Sequence, residues 1–214
     1  MTISEFKNIV WNHYLLIEKD FISTFQYVSL DQKNYGVFSD KYFSLLQLVG
    51  SEVDVILKEI CVFFPPIPGN HLSNINEYRD IIITNLPSFP TEGIWVAPIN
   101  VVVNPWTTWG LTAASNPIWW DSYNKTKHNR TSIINGNLCF EKANLENVLN
   151  ALAALYYCDL LLYTELLRTS NGLSDYEKAI EPSSLFEINS KPSRGSGYYS
   201  SMNLNGVDIH FMIK

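Results

Sequence analysis

From Leu145 to Leu167 the sequence reads LENVLNALAALYYCDLLLYTELL, and the repeat in that run decides what kind of fold the chain adopts. Leu145, Leu149, Leu152, Tyr156, Tyr163 and Leu167 return at helical spacing. Leu152, Ala154, Leu155 and Tyr157 cannot all share one face, so the helix is apolar nearly all round. Such a helix belongs at the centre of a bundle or in a dimer seam. Its length approaches the ~20 residues of a membrane span, yet Glu146, Asn147, Asn150, Asp159 and Glu165 interrupt it. Each acid at a bilayer centre costs about 2.5–3.5 kcal/mol on insertion scales. A buried helix entered at about Lys142 and left near Arg168 is expected, with no membrane partner.

Four further helices are expected upstream. Thr2-x-x-Glu5 has capping-box spacing and opens a stripe of Ile3, Phe6, Val10, Tyr14, Ile17, Phe21, Phe25 and Val28. After a polar turn, Ser39-Asp40 can cap a second helix whose stripe is Phe43, Leu46, Val49, Val53, Ile56 and Ile60. Pro65-Pro66-Ile67-Pro68-Gly69 stops it, because proline lacks the donor and clashes with the preceding turn. A shorter helix follows from Ile75 to Leu86, and another begins after Pro117. Between them Ile94 to Val103 is rich in β-branched and aromatic residues but broken by Pro98, which suits an edge strand or extended flap. Trp106, Trp109, Trp119 and Trp120 are expected to fill the gap between flap and helices, with base stacking as the lesser alternative.

Beyond Asn171-Gly172 the composition turns to Ser, Gly and Pro, as in Ser183-Ser184, Lys191-Pro192-Ser193 and Gly195-Ser196-Gly197, which reads as a linker. Asn205-Gly206, followed by alternating Val207, Ile209, Phe211 and Ile213, predicts a terminal hairpin. The whole therefore reads as an all-α protein. Residues 1–170 form an antiparallel bundle of about five helices with a small extended or β flap at about 87–117, and residues 171–214 supply the linker and C-terminal β-hairpin.

Composition narrows the function classes. The 214 residues are 46% hydrophobic and 17% charged, which excludes a disordered chain and leaves apolar surface for a partner. A net charge of −6 argues against non-specific coating of nucleic acid while permitting a local basic site. Cys61, Cys139 and Cys158 are odd in number and lack C-x-x-C spacing, so they read as reduced core thiols. The opening Met1-Thr2-Ile3-Ser4-Glu5-Phe6 lacks the basic-then-apolar order of a secretory signal, and a cytoplasmic location is expected. His13, His71, His128 and His210 form no metal-ligand pair, and the glycines form neither a P-loop nor a dinucleotide fingerprint. No metal and no cofactor are expected.

Chemistry concentrates in Trp119-Trp120-Asp121-Ser122-Tyr123-Asn124-Lys125-Thr126-Lys127-His128-Asn129-Arg130. Trp120, Tyr123, Asn124, Lys127 and His128 share one side of the fourth helix. Asn124 and His128 stand one turn apart, so an amide can hold one imidazole nitrogen while the other meets substrate. Lys127 and Arg130 suit a phosphate, although a basic run at a helix end often serves only the helix dipole. In the second helix Asp54 and Lys58 stand at i, i+4, which ordinarily supports the helix alone. If the second and fourth helices pack together, Glu52, Asp54 and Lys58 border the same cleft as His128.

Those two elements, Asp54-x-x-x-Lys58 and Asn124-x-x-x-His128, resemble the motifs of the HEPN family of helical domains over residues 1–170. Tyr123 stands where the family's Arg precedes the Asn. The resemblance implies an all-α, commonly dimeric protein that is a metal-independent endoribonuclease or an RNA or nucleotide binder in bacterial toxin–antitoxin or phage-defence systems. The implied partners are RNA, an antitoxin or a nucleotidyltransferase. It also implies His128 as general base on a ribose 2′-hydroxyl, Asn124 orienting it, and Lys127 or Arg130 stabilising the phosphate, with Arg130 replacing the missing Arg. The alternative is a non-catalytic protein–protein interaction module of helical-bundle type whose aromatic flap binds another protein.

Overall fold

Asn144 sets the central helix by accepting the backbone N–H of Asn147 at 3.0 Å, and the helix then runs unbroken from Leu145 to Thr169. A computed structural model describes residues 1–188 and 199–212. Its first helix, α1, comprises Ile3–Glu5, a π-helical turn Phe6–Trp11 and Asn12–Ser23 in direct succession. The reciprocal Thr2/Glu5 capping box starts it, satisfying two amides that have no helical partner. The other helices are α2 (Asp40–Cys61), α3 (Ile75–Asn85), α4 (Ile118–Asn129), the central α5 (Leu145–Thr169) and the single-turn α6 (Asp175–Lys178).

The expectation of an all-α fold is overturned. Among the described residues seven strands form three small antiparallel sheets beside the helices, so the protein is mixed α and β. β1 (Ile94–Val96) lies between β2 (Val101–Val103) and β5 (Phe186–Ile188), with Ile94 level with both Val103 and Ile188. β3 (Ile133–Ile134) and β4 (Asn137–Leu138) make a tight hairpin on Asn135-Gly136, both at positive φ. β6 (Tyr199–Leu204) and β7 (Val207–Met212) make the C-terminal one on Asn205-Gly206. The reason is backbone satisfaction. A proline-interrupted flap cannot bond to itself as a helix does, and β1 finds its second neighbour far along the chain in residues 186–188.

That neighbour is delivered by residues 180–188, which are packed structure. Ile180 joins the C-terminal hairpin through His210 and itself accepts from Met212, while Ile180, Leu185, Phe186 and Ile188 are buried in the same core as α5. Lys191-Pro192-Ser193, Gly195-Ser196-Gly197 and Ile213 lie outside the described residues. The central helix is enclosed by its own chain: every residue from Leu145 to Leu167 except Glu146 and Asn150 is buried. The apolar surface that suggested a dimer seam is therefore covered from within, principally by α2. Trp106, Trp109, Trp119 and Trp120 are all at most 5% exposed and lie against one another. They fill the core, and none is free to stack on a base or present a flap to a partner.

Candidate functional site

α4 is positioned by its buried side. Pro117 precedes it, and Trp119, Trp120, Ser122, Tyr123 and Thr126 turn inward. The Tyr123 ring lies directly on Gly50 of α2, where a Cβ would come within 2.5 Å of ring carbons. Only glycine admits that approach. Beside it Gln47 donates its amide to Thr126 Oγ1 at 2.7 Å and to the Tyr123 carbonyl at 3.4 Å, tying the two helices together.

This contact brings part of the predicted site together. Lys127 folds back along α4 and donates to the Tyr123 hydroxyl at 2.9 Å, its ammonium 5.1 Å from the ring centroid. Half-buried Asp54 on α2 has its carboxyl pushed up by burial, and nearby Lys127 and Lys58 act in the opposite direction. Asp54, Lys58, Tyr123 and Lys127 thus share the α2–α4 junction. Tyr78 of α3 closes its far side, its phenol pushed up to about 12 by burial and then by the Asp54 charge.

The remaining candidates diverge from it. Asn124 and His128 stand about 200° around the helix from Thr126, so they face away from the packed side. Asn124 is half-buried and His128 exposed, and neither makes a hydrogen bond, ion pair or ring contact among the described residues. The amide does not hold the imidazole. Arg130 leaves the group altogether, its guanidinium carbon 5.1 Å from the Phe43 ring centroid on α2. Trp120 is sealed between Trp119 and Tyr123. Cavities of 230 to 660 Å³ open along α1, β5 and the start of α4, and Asn124, Lys127, His128 and Arg130 line none of them.

Two acid clusters lie elsewhere, one of them taking Glu52 away from the cleft expected beside His128. Glu18 is 2% exposed, yet it accepts from Tyr14 Oη at 2.7 Å, Ser184 N–H at 2.9 Å and Ser183 Oγ. Ser183 Oγ accepts in turn from the Leu185 and Phe186 amides. The carboxylate is a latch that draws residues 183–186 onto α1 and so sets up β5. The readable signal was an acid at Glu18 among the core positions Tyr14, Ile17 and Phe21.

The second cluster lies under the α1–α2 groove. His13 Nε2 approaches Glu52 Oε1 at 3.7 Å, with the two side chains 41% and 31% exposed. Asp159 of α5 lies beneath, 1% exposed, and its Oδ1 has no hydrogen-bond partner among the described residues. Burial first and the Glu52 charge second hold its carboxyl well above the ordinary carboxylate range. Among the described residues no three His, Cys, Asp or Glu side chains converge to hold a metal ion. The three cysteines are free and buried, and burial pushes the Cys61 thiol up to about 12. The chain matches no family model, no curated protein and no solved structure.

Proposed function

We propose that the chain is a non-catalytic protein–protein interaction module of the cytoplasm. One observation carries this reading: the outer face of α1 and α2 exposes Ile9 (66%), Leu16 (64%), Leu48 (38%), Val55 (52%) and Val62 (70%) on two neighbouring helices. Apolar residues scattered singly need no explanation, but these recur at helical spacing on two adjacent helices and leave water-exposed area whose burial is favourable. Trp106 and Trp109 of the aromatic flap serve the core, and Trp95, half-buried on β1, donates to Asn100 Oδ1 at 3.1 Å, so the α1–α2 face is the larger apolar surface on offer.

A second reading is the HEPN-like one, a metal-independent endoribonuclease or RNA binder in a bacterial toxin–antitoxin or phage-defence setting. It is favoured by the shared α2–α4 junction of Asp54, Lys58, Tyr123 and Lys127 and by the accessibility of His128 and Arg130. In that reading His128 takes the proton of a ribose 2′-hydroxyl and Lys127 or Arg130 meets the phosphate. RNA incubated with purified protein in chelator separates the two. The interaction reading expects no cleavage above buffer and RNA retention unchanged by Lys127→Ala with Arg130→Ala. Cleavage lost in His128→Ala and kept in Lys178→Ala establishes the enzyme instead.

A further inference from the structure

The strip on α1 and α2 has a pattern beyond its apolarity. Ile9, His13 and Leu16 follow 4–3 spacing on one helix, and Leu48, Glu52 and Val55 follow the same spacing on the other. That is the spacing of a seam between packed helices. The two helices are antiparallel, because His13 meets Glu52, Asp20 accepts from Lys41 at 2.6 Å, and Thr24 meets Tyr42 at 3.4 Å. In that register Ile9 stands level with Val55, about 5 Å to one side of the His13–Glu52 pair, and Leu16 level with Leu48, about 5 Å to the other. The middle of the face is therefore three layers, apolar, polar and apolar, with the exposed Asp20–Lys41 pair beyond Leu16.

We infer that a second copy of this chain covers the face, its α1 and α2 completing an antiparallel four-helix bundle with ours. This rests on the interaction reading above and names its partner. The polar layer selects the arrangement. A two-fold axis running along the helices puts His13 opposite the partner's Glu52 and Glu52 opposite the partner's His13, at the same level as Ile9 opposite the partner's Val55 and Leu16 opposite the partner's Leu48. An axis across the helices would set carboxylate against carboxylate, which is repulsive, and leave each imidazole without the partner's carboxylate. Every helix of the resulting bundle has antiparallel neighbours, as in up-and-down bundles. Two adjacent helices about 30 Å long and about 10 Å apart offer a face of roughly 600 Å², near the ~800 Å² per partner of an ordinary stable interface. A polar layer between apolar ones also fixes register, since sliding by one turn buries a charge against a methyl group.

Light-scattering mass of the full chain tests this. The wild type is expected at twice 24.5 kDa. Leu16→Lys alters an exposed side chain, so its circular dichroism should be unchanged while the dimer dissociation constant rises at least about 30-fold. His13→Glu alone and Glu52→Lys alone should each weaken the dimer about 10-fold or more, and both together in one chain should restore it, because only reciprocal pairing is rescued by the swap. A wild type of monomer mass at its highest soluble concentration, or a dimer that none of these substitutions weakens, overturns the inference. Neither result touches the interaction reading, which stands or falls on the RNA experiment.

Discussion

α5 and the α1–α2 face are both rich in apolar residues, and the chain treats them in opposite ways. Around α5 it wraps α2, α4, the flap and the C-terminal hairpin, so that Leu152, Leu155, Leu160 and Leu162 have at most 2% of their surface left. On α1 and α2 it leaves Ile9, Leu16 and Val55 more than half exposed. Apolar content alone left α5 as a bundle centre or a dimer seam, and its burial makes it the bundle centre. What distinguishes the two is arrangement: α5 has no polar side to present to water, whereas α1 and α2 each bury one stripe inward and carry a second, seam-spaced one outward.

The same contrast can be broken by substitution. The largest effect belongs to Leu152→Ala in the enclosed helix, which should cost about 2–5 kcal/mol of unfolding free energy in urea through lost burial and a residual cavity. A cost under about 1 kcal/mol would mean that α5 is not as tightly covered as described. Asp159→Asn sharpens the comparison from beneath the groove. The folded carboxyl titrates above its unfolded value, so its favourable protonated state is fully present below the unfolded range and stability is lost as pH rises through the folded value. Replacing it with an uncharged side chain of the same shape should raise stability at neutral pH by about 1–3 kcal/mol and flatten the fall between acid and neutral pH. Equal pH slopes for both proteins would remove Asp159 as its source. The smallest effect is Leu16→Ala, within about 0.5 kcal/mol for the protomer, because the side chain is already in water.

Much of the helical layout is legible in the sequence because it is written locally. Ser39 caps α2, Pro117 precedes α4, and Ile75 begins α3 where periodicity places it. The strip of α1 ends at Ser23 and passes into a 3₁₀ turn, Thr24–Gln26, short of Val28. The β1–β2–β5 sheet is hidden because its strands are three residues long and β5 is recruited through Glu18 and Ser183, a contact no spacing rule contains. For the site, the α2–α4 proximity follows from Gly50 facing Tyr123, which neither residue announces alone. Lys127 and His128 are neighbours in sequence, and one residue of helical rotation sends the first to Tyr123 and the second to solvent. Glu52, expected with Asp54 and Lys58 beside His128, instead faces His13, a pairing that no spacing rule contains until α1 and α2 stand side by side.

Amide hydrogen exchange followed as a function of protein concentration tests the central claim most directly, since it reads all of these helices in one sample. The account predicts slower exchange in α1 and α2 as concentration rises, with α4 from Ile118 to Asn129 unchanged. Protection that does not respond to concentration in α1 and α2, or that gathers instead around His128, would contradict it.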